Sequence, residues 1–187
     1  MISFLEANKK KEREKFKQIR SKSSFFEREN VKLNVETYIN TLDKNKWHNK
    51  YFAVYYPLKN EVDLRDLKKK YPLALPKCKS NNEVDFYVWD NTPLEIDKAG
   101  IPAPINSKLL ISEQISHIFV PCLSIDERLN RLGYGGGYYD KLRANKVWRL
   151  IPCIGVLTEE CVSQDLLTKA NWDIPLNGYI TNNEIFI

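Results

Sequence analysis

The stretch "YFAVYYPLKNEVDLRDLKKKYPLALP", Tyr51 to Pro76, decides the fold. Its first seven residues are a continuous apolar and aromatic run closed by Pro57, the pattern of an interior strand buried on both faces of a parallel sheet. "EVDLRDLKKKYP", Glu61 to Pro72, puts acids in a first turn and lysines in a last one, which reads as a helix aligned with its own dipole. "LALP", Leu73 to Pro76, is a second short strand. Strand, helix and strand in this order form a crossover between parallel neighbours, which need a connection of about a dozen residues or more.

Toward the carboxyl end, "EVDFYVWD", Glu83 to Asp90, alternates as a third strand. Between Asn91 and Ser107, Pro93, Gly100, Pro102 and Pro104 mark a long irregular connection of the kind that shapes a site. "ISHIFVPC", Ile115 to Cys122, is another strand, and "GYGGGYYDKLRANK" begins as a loop and becomes a helix near Gly137. "VWRLIPCIGVL", Val147 to Leu157, reads as strand, Ser163 to Ala170 as helix, and "GYIT", Gly178 to Thr181, as a last strand.

Toward the amino end, a helix from about Asn8 to Lys22 has few apolar members, Phe16 and Ile19 among them, and is expected on the surface. Ser24 with Glu27 forms a capping box. It opens a second helix carrying Val31, Val35, Tyr38, Ile39 and Leu42 at helical spacing. The expected architecture is α/β: an open, mainly parallel sheet with helices on both faces, a Rossmann-like α/β/α layering. Ligands in such folds gather at the carboxyl ends of the strands.

At 187 residues and 43% apolar content, the chain holds one full core, and residues 1–187 read as a single domain. There is no run of about 18 apolar residues and no charged-then-apolar leader at Met1, so a soluble, cytoplasmic protein without a membrane partner is expected. Cys78, Cys122, Cys153 and Cys161 form no CxxC pair and read as reduced thiols. With His48 and His117 as the only two histidines, a His-rich metal site or a Ser-His-Asp triad has little material. Of the basic excess, Lys9, Lys10, Lys11, Arg13, Lys15, Lys17, Arg20 and Lys22 crowd the first helix. That is either a solvated face or a surface for an anionic partner.

"RLGYGGGYYD", Arg131 to Asp140, holds four of the chain's seven glycines. It follows a buried strand and leads into a helix, so it is either a plain turn or a loop whose N–H groups converge on an anion. It lacks the Lys followed by Ser or Thr of a P-loop, and Tyr138 stands where GxGxxG needs its third glycine. Arg131 adds a planar fork for phosphate oxygens. Asp140 adds a hard carboxylate suited to magnesium. Tyr138 and Tyr139 are either core aromatics or a stacking surface for a flat ligand.

These residues carry a resemblance. "VPCLSIDERLNRLGYGGGYYDKL", Val120 to Leu142, resembles the signature of the 5-formyltetrahydrofolate cyclo-ligase family, V-P-G-x-x-F-D and then R-x-G-x-G-x-G-Y-Y-D. Thinner likenesses keep the same order elsewhere: Lys9 and Arg13 four apart, Glu61 after the first strand, "LPK", "PAP", and Asp173 to Pro175 before "GYIT". Departures are Cys122 for glycine, Ile125 for phenylalanine, Leu64 for threonine, Ala103 for an acid or amide, Asn177 for aspartate, and Tyr134 and Gly136 where some members carry Arg and Lys.

The resemblance implies an ATP-dependent ligase with Mg²⁺, converting 5-formyltetrahydrofolate to 5,10-methenyltetrahydrofolate with ADP and phosphate through a phosphorylated formyl group. It implies ATP contacts from Lys9, Arg13, Arg131, Leu132, Gly133, Tyr134, Gly135, Gly136, Gly137, Tyr138 and Tyr139, with Lys9, Arg13 and Arg131 catalytic. Tyr56, Glu61, Tyr134, Gly135, Gly136, Gly137 and Tyr138 would meet the folate, and Asp140 and Asp173 the metal. Without the resemblance, Glu61 reads as a helix amino-terminal acid. A monomer is expected. The rival readings are a basic nucleic-acid-binding module, weakened by the confinement of its basic residues to one segment, and a phosphate-binding α/β enzyme of the sugar-phosphate isomerase or CoA-transferase type.

Overall fold

A computed structural model describes residues 4–187; the reading made at Met1 lies outside the described residues. Helix α1, Phe4–Ser21, buries Lys9, Phe16 and Arg20 along one face. The Ser24 hydroxyl then accepts the Glu27 N–H at 3.1 Å while the Glu27 carboxylate accepts the Ser24 N–H at 2.6 Å. This expected capping box starts α2, Phe25–Thr41, which buries Val31, Val35, Tyr38 and Ile39. One turn, α3, Lys44–Trp47, leads into the sheet.

The strands are β1, Tyr51–Ala53; β2, Leu73–Cys78; β3, Val84–Val88; β4, Leu94–Ile96; β5, Pro102–Pro104; and β6, Leu109–Leu110. They continue with β7, Ile115–Pro121; β8, Ser124–Ile125; and β9, Arg131–Leu132. After α4, Tyr138–Ala144, and α5, Lys146–Arg149, come β10, Cys153–Val156; β11, Gly178–Ile180; and β12, Ile185–Phe186. One sheet of eight strands runs in the order β12-β11-β10-β7-β1-β2-β3-β6. Its middle, β11 through β2, is parallel, and antiparallel strands finish both edges.

Alternation along the strands builds two cores. Phe52, Phe119 and Ile154 face α2, whereas Ala53, Ile118, Val120 and Cys153 pack with Leu142 of α4 and Trp148 of α5. The expected α/β layering, mainly parallel with helices on both faces, is what the chain adopts. All four cysteines are free and buried. Among the described residues, no helix is long and apolar enough to cross a membrane.

Five segments differ from their sequence reading. Of the helix expected over residues 61–72, only a 3-10 turn, Arg65–Lys69, forms. Asn60 turns the chain at φ 65°, Glu61 caps the Leu58 N–H, and the Tyr55 hydroxyl donates to the Val62 carbonyl at 2.9 Å. The residues after β1 are thereby held as a loop. The connection of residues 91–107 contains the β4–β5 ribbon, whose tip is tied by Asp97 to the N–H groups of Ala99 and Ile101.

Val147 to Arg149 belong to α5, which starts where Asn145 caps the Val147 N–H, and the strand waits until Cys153, after Pro152. Residues 163–170 form no helix, because side-chain carboxylates take the N–H groups a helix would have used. Asp126 takes Leu167, Glu12 takes Thr168 and Asp173 takes Ala170, at 3.0, 2.9 and 2.7 Å. Nor is α1 a purely surface helix: Phe16 packs with Leu123, Leu132 and Leu167.

Candidate active site

A cavity of about 370 Å³ opens beside the carboxyl ends of β1, β2 and β7. That is within the usual range of ligand pockets. Its walls bring together the site residues that the resemblance implies: Lys9 and Arg13 from α1, Tyr56 and Glu61 after β1, Arg131 through Asp140, and Asp173.

Lys9 and Arg13 are one helical turn apart and so share a face. Lys9 pairs with the Asp173 carboxylate. Arg13 donates from Nε to the Gly133 carbonyl at 3.1 Å, and its Nη1 stands 3.8 Å from Glu6. Across the cleft, Arg131 donates to the Pro121 carbonyl at 3.2 Å and lies over the Tyr139 ring at 5.2 Å. Burial disfavours the charge of Arg131, but the Asp140 carboxylate beside it favours that charge, and the net shift is upward, so the guanidinium stays charged.

The glycines are there for close approach. Gly135 sits at φ 102° with the Arg13 guanidinium carbon 3.3 Å from where a Cβ would stand, and a Cβ on Gly136 would meet the Tyr138 ring at 2.8 Å. At these two positions the loop is pressed against Arg13 of α1 and against an aromatic ring, and a side chain at either would have to displace its neighbour. Gly137, at φ 68°, opens α4.

The opposite wall is aromatic and acidic. Glu61 has a side chain 2% exposed. Burial raises its carboxyl above the usual glutamate range, while the Leu58 N–H and Arg20 pull it back in part. The Tyr56 hydroxyl accepts from Arg65 at 3.1 Å, with the Arg65 guanidinium over its ring. The paired tyrosines divide the two readings given to them. Tyr139 packs on the core beneath Arg131, whereas Tyr138 lies over Gly136.

Among the described residues no three His, Cys, Asp or Glu side chains are grouped as a metal cage. Magnesium does not need one, since it takes one or two carboxylates and otherwise phosphates and water. Asp140 fits that use: among the described residues it pairs with Arg131 alone, at 3.7 Å, and its side chain, in the cavity wall, is 30% exposed. Asp173 stands in the same wall; Lys9 and the Ala170 N–H both engage its Oδ2, so its Oδ1 takes part in neither contact.

Other residues join the wall unforeseen: Tyr55, Cys78, Asp97 and Trp172. Behind it lies Arg20, paired with Glu61. Arg20 could have been found, because Lys9, Arg13, Phe16 and Arg20 follow one another at steps of four, three and four, a single helix face. For Asp97 no sequence signal exists, since its place depends on the ribbon.

Residues 5–182 match the model of the 5-formyltetrahydrofolate cyclo-ligase family. A protein from Haemophilus influenzae named 5-formyltetrahydrofolate cyclo-ligase is 34% identical over 89 residues, 46% of either chain, so the match spans less than half of that relative. The NMR structure of an Aquifex aeolicus 5,10-methenyltetrahydrofolate synthetase superposes with a TM-score of 0.74 at 29% identity, covering 95% of this chain and 91% of that one. The structure of a 5,10-methenyltetrahydrofolate synthetase from Mycoplasma pneumoniae shares the fold, with a TM-score of 0.71 at 23% identity over 94% and 99% of the two chains.

Proposed function

Because the chain belongs to the 5-formyltetrahydrofolate cyclo-ligase family, we propose that it closes 5-formyltetrahydrofolate to 5,10-methenyltetrahydrofolate at the expense of ATP. The observation that carries this reading is the single cavity in which Lys9, Arg13 and Arg131 face the glycine loop while Tyr56 and Glu61 form the other wall. The formyl oxygen takes the γ-phosphoryl group and ADP leaves. N10 then attacks the activated carbon, losing its proton as phosphate departs. A formamide oxygen is a poor leaving group and its phosphate a good one, which is why ring closure consumes a nucleotide.

Phosphoryl transfer asks the protein for position and charge rather than covalent chemistry. Lys9 and Arg13 supply cations from one helix face, and Arg131 supplies a fixed guanidinium from the other side. The N–H groups of residues 133–137 can approach the triphosphate because, Tyr134 apart, these positions are glycines with no side chain to keep it away. Glu61 accepts hydrogen bonds from the amide and amine edge of the pterin, and Tyr138 offers a ring to stack on it. Asp140 would hold Mg²⁺, which when bound offsets part of the triphosphate charge. Asp173, which keeps Lys9 in place through Oδ2, would offer its other oxygen as the second carboxylate for that ion.

The test is ring closure followed by the near-ultraviolet absorbance of the methenyl product with Mg·ATP. Asp140→Asn and Arg13→Ala are each expected to abolish it while the circular dichroism of the fold is retained. A charge-assisted contact to the transition state contributes about 2 to 4 kcal/mol. Full activity in both variants would remove the site assignment.

A further inference from the structure

Arg20 is the innermost cation of α1, and nothing in the chemistry above uses it. Its side chain is 9% exposed. Nη1 stands 3.5 Å from Glu61 Oε1, and Nη2 donates to the Tyr134 hydroxyl. The guanidinium carbon lies 5.0 Å from the centre of the Tyr134 ring, with Lys17 at 5.7 Å from the same centre. Arg20 Nε is buried without a partner, so the side chain is placed for its two terminal nitrogens.

Both partners line the cavity, although they belong to different segments: Glu61 to the loop after β1, Tyr134 to the glycine loop. A planar fork can serve two such groups at a fixed angle, which the single ammonium of a lysine cannot do. The glycine loop needs an anchor, since a glycine-rich segment loses more conformational freedom on ordering than any other. Arg13, bonded to the Gly133 carbonyl, holds its start, and Tyr134 is the next residue along.

We propose that Arg20 is a positioning residue that clasps the glycine loop, through Tyr134, to the Glu61 wall of the cavity, so that one side chain orders both surfaces the substrates meet. The clasp stands on the contacts themselves; only the identity of the substrates rests on the function proposed above. Glu61 is surrounded by Arg20 from α1, Arg131 from β9, the phenols of Tyr55 and Tyr139 and the thiol of Cys122. Arg20 is the cation of that set in direct contact with its carboxylate.

The experiment compares Arg20→Gln, Arg20→Lys and Tyr134→Phe with the unaltered protein. Amide hydrogen exchange of residues 133–137, measured without ligands, should speed up about tenfold or more in Arg20→Gln, the range expected for losing a hydrogen bond to a charged group. Tyr134→Phe should move in the same direction by less, since the ring still lies under Arg20. Arg20→Lys should keep Glu61 paired but leave the loop unanchored.

In ring closure, the acid limb of the pH profile for the folate KM should move to higher pH in Arg20→Gln, because Glu61 loses a cation that favours its charged form. It should stay in place in Arg20→Lys and Tyr134→Phe. If Arg20→Gln does not fold, the other two variants carry the comparison. Loop exchange unchanged in every variant that folds would overturn the clasp. A protein inactive on the folate would overturn the proposed function, and the exchange data would still decide for or against the clasp.

Discussion

Arg131 does more than carry a charge. It is pinned to the Pro121 carbonyl, stacked over Tyr139 and set 3.7 Å from Asp140. A lysine would keep the charge and lose both the fork and the stacking. Arg131→Lys is therefore expected to lower kcat/KM for ATP by about 100- to 1,000-fold, the effect of one lost transition-state contact; a value within twofold of the unaltered enzyme would show that charge alone suffices. Glu61 gives a second expectation at this scale. Burial raises its carboxyl, so the folded state favours the protonated form more than the unfolded chain does. Its contribution to stability is fully present below the ordinary glutamate range and is lost as pH rises through the raised folded value. Measured against the non-titrating Glu61→Gln, the stability of the unaltered protein should fall from about pH 4 toward neutrality. Denaturant melts at both pH values check the sign, and a gap that grows in its favour with pH would contradict it. Retaining such an acid at neutral pH is a sacrifice of stability that a binding role explains.

At the scale of elements, the segment of residues 163–170 shows how distant carboxylates, Asp126 foremost, can override helix propensity. Asp126 is fully buried. It accepts from the N–H groups of Arg128, Asn130 and Leu167 and from the Asn130 side chain, all between 2.9 and 3.0 Å. It ties the turn between β8 and β9 to the segment under α1. Asp126→Ala would leave several donors unsatisfied in the interior, so a destabilisation of roughly 3 to 5 kcal/mol is expected. Urea unfolding measures it, and a loss below about 1 kcal/mol would show that water replaces the carboxylate. The aspartate of the signature "VPCLSID" thus has a structural reason of its own, apart from the cavity. What the sequence made legible were elements whose information is local: the capping box of Ser24 and Glu27, the apolar runs of β1, β7 and β10, and the glycine loop. What it hid were elements fixed by distant partners. Residues 163–170 lose their helix to Asp126, Glu12 and Asp173; Glu61 leaves the expected helix to face Arg20; the β4–β5 ribbon depends on Asp97 reaching Cys78. Arg20 was hidden for the same reason, although its spacing from Lys9 and Arg13 was in plain view.

For the molecule as a whole, the cavity draws its walls from α1 near one end of the described chain and from Trp172 and Asp173 near the other. The helix is held to the body mainly by polar links: Lys9 to Asp173, Glu12 to Thr168, Arg13 to Gly133 and Arg20 to Glu61. Its largest apolar anchor is Phe16. An element with few buried apolar contacts opens at low free energy, so α1 should show faster amide exchange than the β7–β10 centre of the sheet. A triphosphate lying between α1 and the glycine loop would join the same surfaces, and its binding energy would add directly to stability. At about 100 times Kd this amounts to roughly 2.7 kcal/mol. For a chain of this size that is on the order of 5 to 10 °C in Tm. Mg·ATP with 5-formyltetrahydrofolate should therefore raise Tm by at least that amount and slow exchange along α1, whereas sugar phosphates should do neither. In Arg13→Ala both effects should shrink, because the residue lost belongs to the helix side of the clamp. A Tm shift of equal size with sugar phosphates would return the molecule to the phosphate-binding enzymes without a nucleotide. A shift without protection of α1 would place the ligand elsewhere on the fold.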